Sequence, residues 1–232
     1  MGKFGKDHGS EYHFRWFRKN RAAELDVKIL AALQLPAASL SWIYPNENED
    51  RKEPRGMSFL RDQPERDLVF WKWKRFWAQT GNPPNWDGIA LLQDETHREW
   101  ILVEAKANHQ EFCSPPCAAK DNGRKTIERA LGKTKRFLGV HRHYTWLGTY
   151  YQYANRLACL YFLNRIAQVP SRLLFVYFTG DRFPDEGVIC PSDQSEWCDL
   201  IHACHLTLGI KELHALSERV HDLFLPVPVQ AK

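Results

Sequence analysis

The chain has 232 residues, 44% of them apolar and 26% charged, with a formal net charge of +4. That length suits one large domain spanning 1–232, and nine Trp, eight Tyr and thirteen Phe exclude disorder as the global state. No run approaches the roughly 20 apolar residues of a membrane span, and the polar, basic start lacks the apolar core of a secretory signal, so a soluble, cytoplasmic protein with no membrane partner is expected.

The glycines at 2, 5 and 9 predict a loosely ordered arm over residues 1–18. Leu25, Ile29, Ala32 and Leu33 recur at helical spacing and predict a helix from about Lys19 to Gln34, stopped by Pro36. Ser39 to Tyr44 reads as a short strand. Pro45 to Pro54 is charged and turn-rich, an exposed loop or a flap. Val69, Phe70, Trp73, Phe76 and Trp77 predict a helix over Glu65 to Gln79 with a core stripe. After the turn at Gly81 to Asn85, Trp86 to Leu92 and Trp100 to Ala107 form a hairpin candidate around the polar segment Gln93 to Glu99.

A loop containing Ser114-Pro115-Pro116 leads to a helix from about Gly123 to Leu138 with the stripe Ile127, Ala130, Leu131 and Leu138. The next helix, Thr149 to Ala167, is apolar nearly all round and so is buried on more than one side. It feeds the apolar run Leu173 to Phe178, the pattern of a strand covered on both faces. A helix from Glu196 to about Leu208 and an unassigned ending at Leu223 to Val229 complete the chain.

Six cysteines, at 113, 117, 159, 190, 198 and 204, show no disulfide framework and read as reduced thiols. Cys113-x3-Cys117 and the group Cys198, His202, Cys204 and His205 raise a zinc site. Their spacings do not match a zinc ribbon or finger.

The chemistry concentrates in the hairpin. Side chains alternate across a strand, so Trp100, Leu102, Glu104 and Lys106 share one face and Ile101, Val103 and Ala105 the other. The turn returns the chain so that Asp87 approaches Glu104. Two carboxylates, a backbone carbonyl (that of Ala105) and waters suit magnesium or manganese. A neighbouring Lys106 can orient an attacking water and stabilise charge on phosphorus. An acid two residues before a lysine occurs three times, at Asp26-Val27-Lys28, Asp50-Arg51-Lys52 and Glu104-Ala105-Lys106. Only the third lies on an apolar strand with a shared face and an upstream Asp. A surface ion pair at a strand end is the alternative. Trp86 and Trp100 are expected to pack beside the site.

Asp87 followed by Glu104-Ala105-Lys106 resembles the PD-(D/E)xK nuclease superfamily, also called restriction-endonuclease-like, although Trp86 stands where its Pro does. The resemblance runs over about Lys19 to Phe178, its specific part being the hairpin. It implies an α/β fold with an αβββαβ core, a central mixed sheet flanked by helices. It also implies Asp87 and Glu104 as metal ligands, Lys106 as the catalytic lysine and phosphodiester hydrolysis of DNA. Glu24 looks like the extra acid some members carry on the first helix; a solvated helix charge is the preferred reading.

Gln152, Asn155 and Arg156 share one face of a buried helix, and since buried polar groups need partners they are substrate-facing candidates or else satisfy loop backbone or cap the sheet. From Lys120 to Arg142 eight basic side chains stand against two acidic ones. Within this segment Lys125, Arg129, Lys133 and Arg136 form a stripe suited to nucleic-acid phosphates, or simply a solvated face. A catalytically silent member of the fold that binds nucleic acid or a protein is the competing function. The pattern leaves room for a homo-oligomer.

Overall fold

Two buried strands with strict alternation divide the molecule into layers. The computed structural model describes residues 7–45, 53–81, 83–95, 98–184 and 187–228. A five-stranded sheet is ordered β1 (Ser39–Tyr44), β2 (Gly88–Gln93), β3 (Arg98–Lys106), β4 (Ser171–Thr179) and β5 (Val220–Pro226). The first three strands are antiparallel neighbours; β4 joins β3 in parallel and β5 joins β4 in parallel. A parallel neighbour requires a long crossover, and the segment between β3 and β4 supplies it in helices. With seven α-helices among the described residues, this is an α/β fold around an open mixed sheet.

Trp100 and Leu102 on β3, with Leu173, Phe175 and Tyr177 on β4, enter one core; Ile101, Val103, Ala105, Leu174, Val176 and Phe178 enter the other. The second core is closed by α1 (Ser10–Asn20) and α2 (Ala22–Ala32) through Phe14, Phe17, Leu25 and Ile29. The first core is covered by α3 (Arg66–Phe76), α5 (Asp121–Phe137), α6 (Tyr151–Tyr161) and α7 (Gln194–Leu208). A single helical turn, α4 (His109–Phe112), follows β3.

The structure corrects the expectation for the N-terminus. Residues 10–18 are not a loose arm: they belong to α1, whose His13, Phe14 and Phe17 are buried at helical spacing. Gly9, at φ +85, stands at its start, so the glycine that suggested a break is a helix boundary. The single helix expected over Lys19 to Gln34 is divided at Arg21, whose φ of −141° interrupts α-geometry. The unassigned ending holds the last four residues of β5, which begins at Val220, while residue 229 lies outside the described residues. So do residues 46–52, most of the charged loop and all of Asp50-Arg51-Lys52. The helix expected to reach Ala167 is α-helical to Tyr161 and π-helical from Phe162 to Ala167. Asn164 ties this end to β4, donating to Leu160 O and Ser171 O and accepting from Ser171 N–H.

Gly88 begins β2 because nothing larger fits. A β-carbon there would stand 2.8 Å from Phe14 Cε1 and 3.1 Å from Trp42 Cζ3. Gly88→Ala is expected to cost about 1–3 kcal/mol through overpacking between α1 and β1. An unchanged urea midpoint would show that Phe14 yields freely.

Candidate functional site

Strand pairing brings the hairpin carboxylates together. The last β2–β3 pair on this side is Gly88 with Val103, and Asp87, one residue beyond, donates its N–H to Val103 O at 3.1 Å. Asp87 Oδ2 accepts from Ala105 N–H at 2.7 Å, which fixes its carboxylate against the end of β3. Glu104 and Lys106 share a strand face and meet directly, with Lys106 Nζ 2.7 Å from Glu104 Oε1.

A second layer comes from α6. Ser114 Oγ accepts from Gln152 N–H at 2.9 Å, holding the first turn of that helix. Gln152 and Arg156, four residues apart, project from one face. Gln152 Oε1 accepts from Lys106 Nζ at 2.9 Å, and Arg156 Nε donates to Glu104 Oε2 at 2.6 Å. Asn155 does not reach the cleft; it accepts from Arg156 Nη1 at 2.7 Å and holds the guanidinium. Trp86, fully buried, lies under the same group, 4.9 Å from ring centroid to Cζ. Trp100 is instead at the far end of β3, where it packs on Phe59. Four residues of strand, at about 3.3 Å each, separate it from Glu104.

Asp87, Glu104, Lys106, Gln152 and Arg156 line a cleft of about 260 Å³ and form its floor. Its other walls were not foreseen. Pro54 O accepts from Trp86 N–H, and Gly56 N–H donates to Pro84 O, so the segment after residue 52 runs back along the start of β2. This delivers Glu53 to the cleft, hydrogen-bonded to Asn85. The start of α1 adds Glu11, which pairs with Arg15. Glu111 accepts from Ala107 N–H at 2.8 Å and from Ser10 N–H at 3.4 Å, joining the end of β3 to α1. Asn108 Oδ1 accepts from Glu111 N–H at 2.8 Å, and that Asn-x-x-Glu spacing was the one available sequence signal.

The electrostatics divide the two carboxylates. Burial and the neighbouring Glu104 push Asp87 well above the ordinary carboxylate range, against the opposing pull of Lys106. Burial also acts to raise Glu104, but Arg156 and Lys106 outweigh it and hold that carboxyl low. Lys106 is raised because Glu104, Asp87 and Glu111 overcome its desolvation. Glu53 is raised by burial, then by Glu11 and Glu104.

No protein-family model, curated protein or solved structure matches the chain.

The remaining sequence candidates separate from the cleft. Glu24 is on the surface of α2, paired with Arg21 and Lys28. The acid that the N-terminal helices do bring to the site is Glu11. Asp26 accepts from Trp42 Nε1 and pairs with Arg18. Lys125, Arg129, Lys133 and Arg136 are exposed on α5, which packs against α6 but sends no side chain into the cleft. Cys198 and His202 are exposed, Cys204 is in the core, and His205 bonds Tyr153 Oη at 2.7 Å. All six cysteines are free thiols. Among the described residues no group of three or more His, Cys, Asp or Glu side chains is arranged to hold a metal, and no helix is long and apolar enough to cross a membrane.

Proposed function

We propose that this protein is a metal-dependent phosphodiester hydrolase of the PD-(D/E)xK type, acting on DNA. The observation that carries the proposal is the convergence of Asp87, Glu104 and Lys106 at one end of the β2–β3 hairpin, at the bottom of a cleft. The element order supports it: helix, three antiparallel strands, helices, then a parallel strand is compatible with an αβββαβ core carrying α3 between its first two strands.

The donor set fits magnesium or manganese, which keep several waters and need only one or two carboxylates. Asp87 has one oxygen engaged by Ala105 and is destabilised as an anion beside Glu104, a repulsion that a cation relieves. Asp87, Glu104 and the Ala105 carbonyl would hold the ion, which supplies Lewis-acid charge at the phosphoryl oxygen and makes water more acidic. Lys106, fixed between Glu104 and Gln152, is placed to orient the attacking water and to stabilise negative charge developing on phosphorus. The exposed stripe on α5 would contribute phosphate contacts whose strength falls with salt.

One observation favours a second function. Both oxygens of Glu104 are engaged by cations, Lys106 at 2.7 Å and Arg156 at 2.6 Å. If Arg156 is a permanent counter-ion, Glu104 never reaches a metal, and the protein is a catalytically silent nucleic-acid-binding member of the fold.

Incubation of wild type, Asp87→Ala and Lys106→Ala with linear, circular and single-stranded DNA in magnesium or manganese separates the two. Cleavage by wild type is expected, with a loss on the order of 10²–10³-fold in either variant. Equal background cleavage by all three proteins would sink the nuclease assignment.

A further inference from the structure

The floor of the cleft is charged, and its mouth is aromatic. His8, just before α1, Tyr12, in its first turn, and Phe183, in the segment after β4, line it. The rings of His8 and Phe183 are 4.1 Å apart and tilted by 56°, and all three aromatic side chains are partly exposed. Their supporting segments are hydrogen-bonded together. Asp181, two residues before Phe183, accepts from Gly9 N–H at 2.9 Å and bonds His13 Nε2 at 2.8 Å, and His13 and Asp181 are both buried. This clamp joins the two chain segments that carry the rings.

The dimensions restrict what enters. Glu104 is 3% and Lys106 8% exposed, so a phosphate must descend to meet them. The cleft's 260 Å³ lies just below the roughly 300–1,000 Å³ of small-molecule sites. A duplex is stiff over about 150 base pairs and holds its bases inside the stack. Its backbone reaches the floor of a cleft of this size only by locally distorting the stack. A single strand turns freely about its backbone and leaves its bases available to stack on aromatic rings, whatever their identity.

We propose that the cleft takes a single-stranded segment of DNA, with a base stacked on Phe183 and His8 at the mouth and the adjoining phosphate at the floor. The proposal rests on the nuclease assignment for what happens at the floor; what it adds is the strandedness of the substrate and the ring that reads it.

Fluorescence anisotropy with a short labelled single strand and its blunt duplex, at low salt with EDTA present to prevent cleavage, tests it. The single strand is expected to bind wild type at least about tenfold more tightly than the duplex. Phe183→Ala should lose about tenfold on the single strand and less than about twofold on the duplex, while Phe183→Trp, which keeps a stacking face, should retain wild-type affinity. Duplex binding as tight as single-strand binding would overturn the proposal, as would Phe183→Ala binding the single strand like wild type. Single-stranded RNA bound in place of DNA would also overturn it. The two assignments fail separately. If Asp87→Ala and Lys106→Ala match wild type in cleavage while Phe183→Ala weakens single-strand binding, hydrolysis is refuted and the stacking cleft stands.

Discussion

Arg156→Ala is expected to destabilise the protein by about 3–5 kcal/mol, the cost of removing one partner from a buried ion pair. Glu104 and Arg156 are 3% and 2% exposed and meet at 2.6 Å. Alanine would leave Glu104 with Lys106 alone, strip the cation from the face of Trp86 and free Asn155 Oδ1 of its donor. Since a domain is stable by only about 5–15 kcal/mol, this is a large fraction of the total. The cost is that of an orphaned buried charge, so Glu104→Gln combined with Arg156→Met should recover part of it, the remainder being the loss of the ion partner of buried Lys106. Urea unfolding of the single and double variants makes the comparison. A loss below about 1 kcal/mol for Arg156→Ala would mean that Lys106 and water satisfy Glu104.

Asp87→Asn is expected to lower cleavage on the order of 10²–10³-fold and yet raise stability at neutral pH in the absence of metal. The folded state holds the Asp87 proton more tightly than the unfolded chain, because burial and Glu104 raise its pKa above the unfolded value of about 3.9. A raised acid favours folding fully below the unfolded pKa and loses that contribution as pH climbs through the folded one. At neutral pH Asp87 is therefore a net burden, either as a buried charge or as a group that must take up a proton on folding. Asparagine removes the charge and keeps an oxygen for Ala105 N–H. The gap in Tm between variant and wild type should widen as pH rises from acid to neutral. Magnesium or manganese should then narrow it by stabilising wild type alone, since a ligand that binds only the native state adds stability by mass action. A variant less stable than wild type at neutral pH without metal would contradict this account.

How much of the site could be read from the chain depends on how each residue reaches it. Glu104, Lys106 and Asp87 are brought together by alternation and a single hairpin, both local rules. Gln152 and Arg156 were visible as polar groups on an apolar helix, but spacing says only that they share a face, not what they meet. Asn155 shows the limit: it belonged to the same polar set, and in the structure it supports Arg156 rather than facing the cleft. Sequence pattern points to Glu24 and not to Glu11 because residues 1–18 read as an arm rather than as a helix. The buried His13, Phe14 and Phe17 of α1 are diluted by Arg15, Trp16 and Arg18, so the stripe is narrow and the segment reads as polar.

By itself the sequence determined the two faces of β3 and the side-by-side placement of Glu104 and Lys106, because side-chain direction follows from the two-residue strand period. Only the tertiary structure decided that Arg156, 52 residues from Glu104, occupies its second oxygen, and that Asp181, 172 residues from Gly9, holds α1 at the mouth of the cleft. The physical reason is that such contacts are selected by how whole layers pack, with buried charges finding whichever partner the packing presents. Local spacing carries no record of that choice.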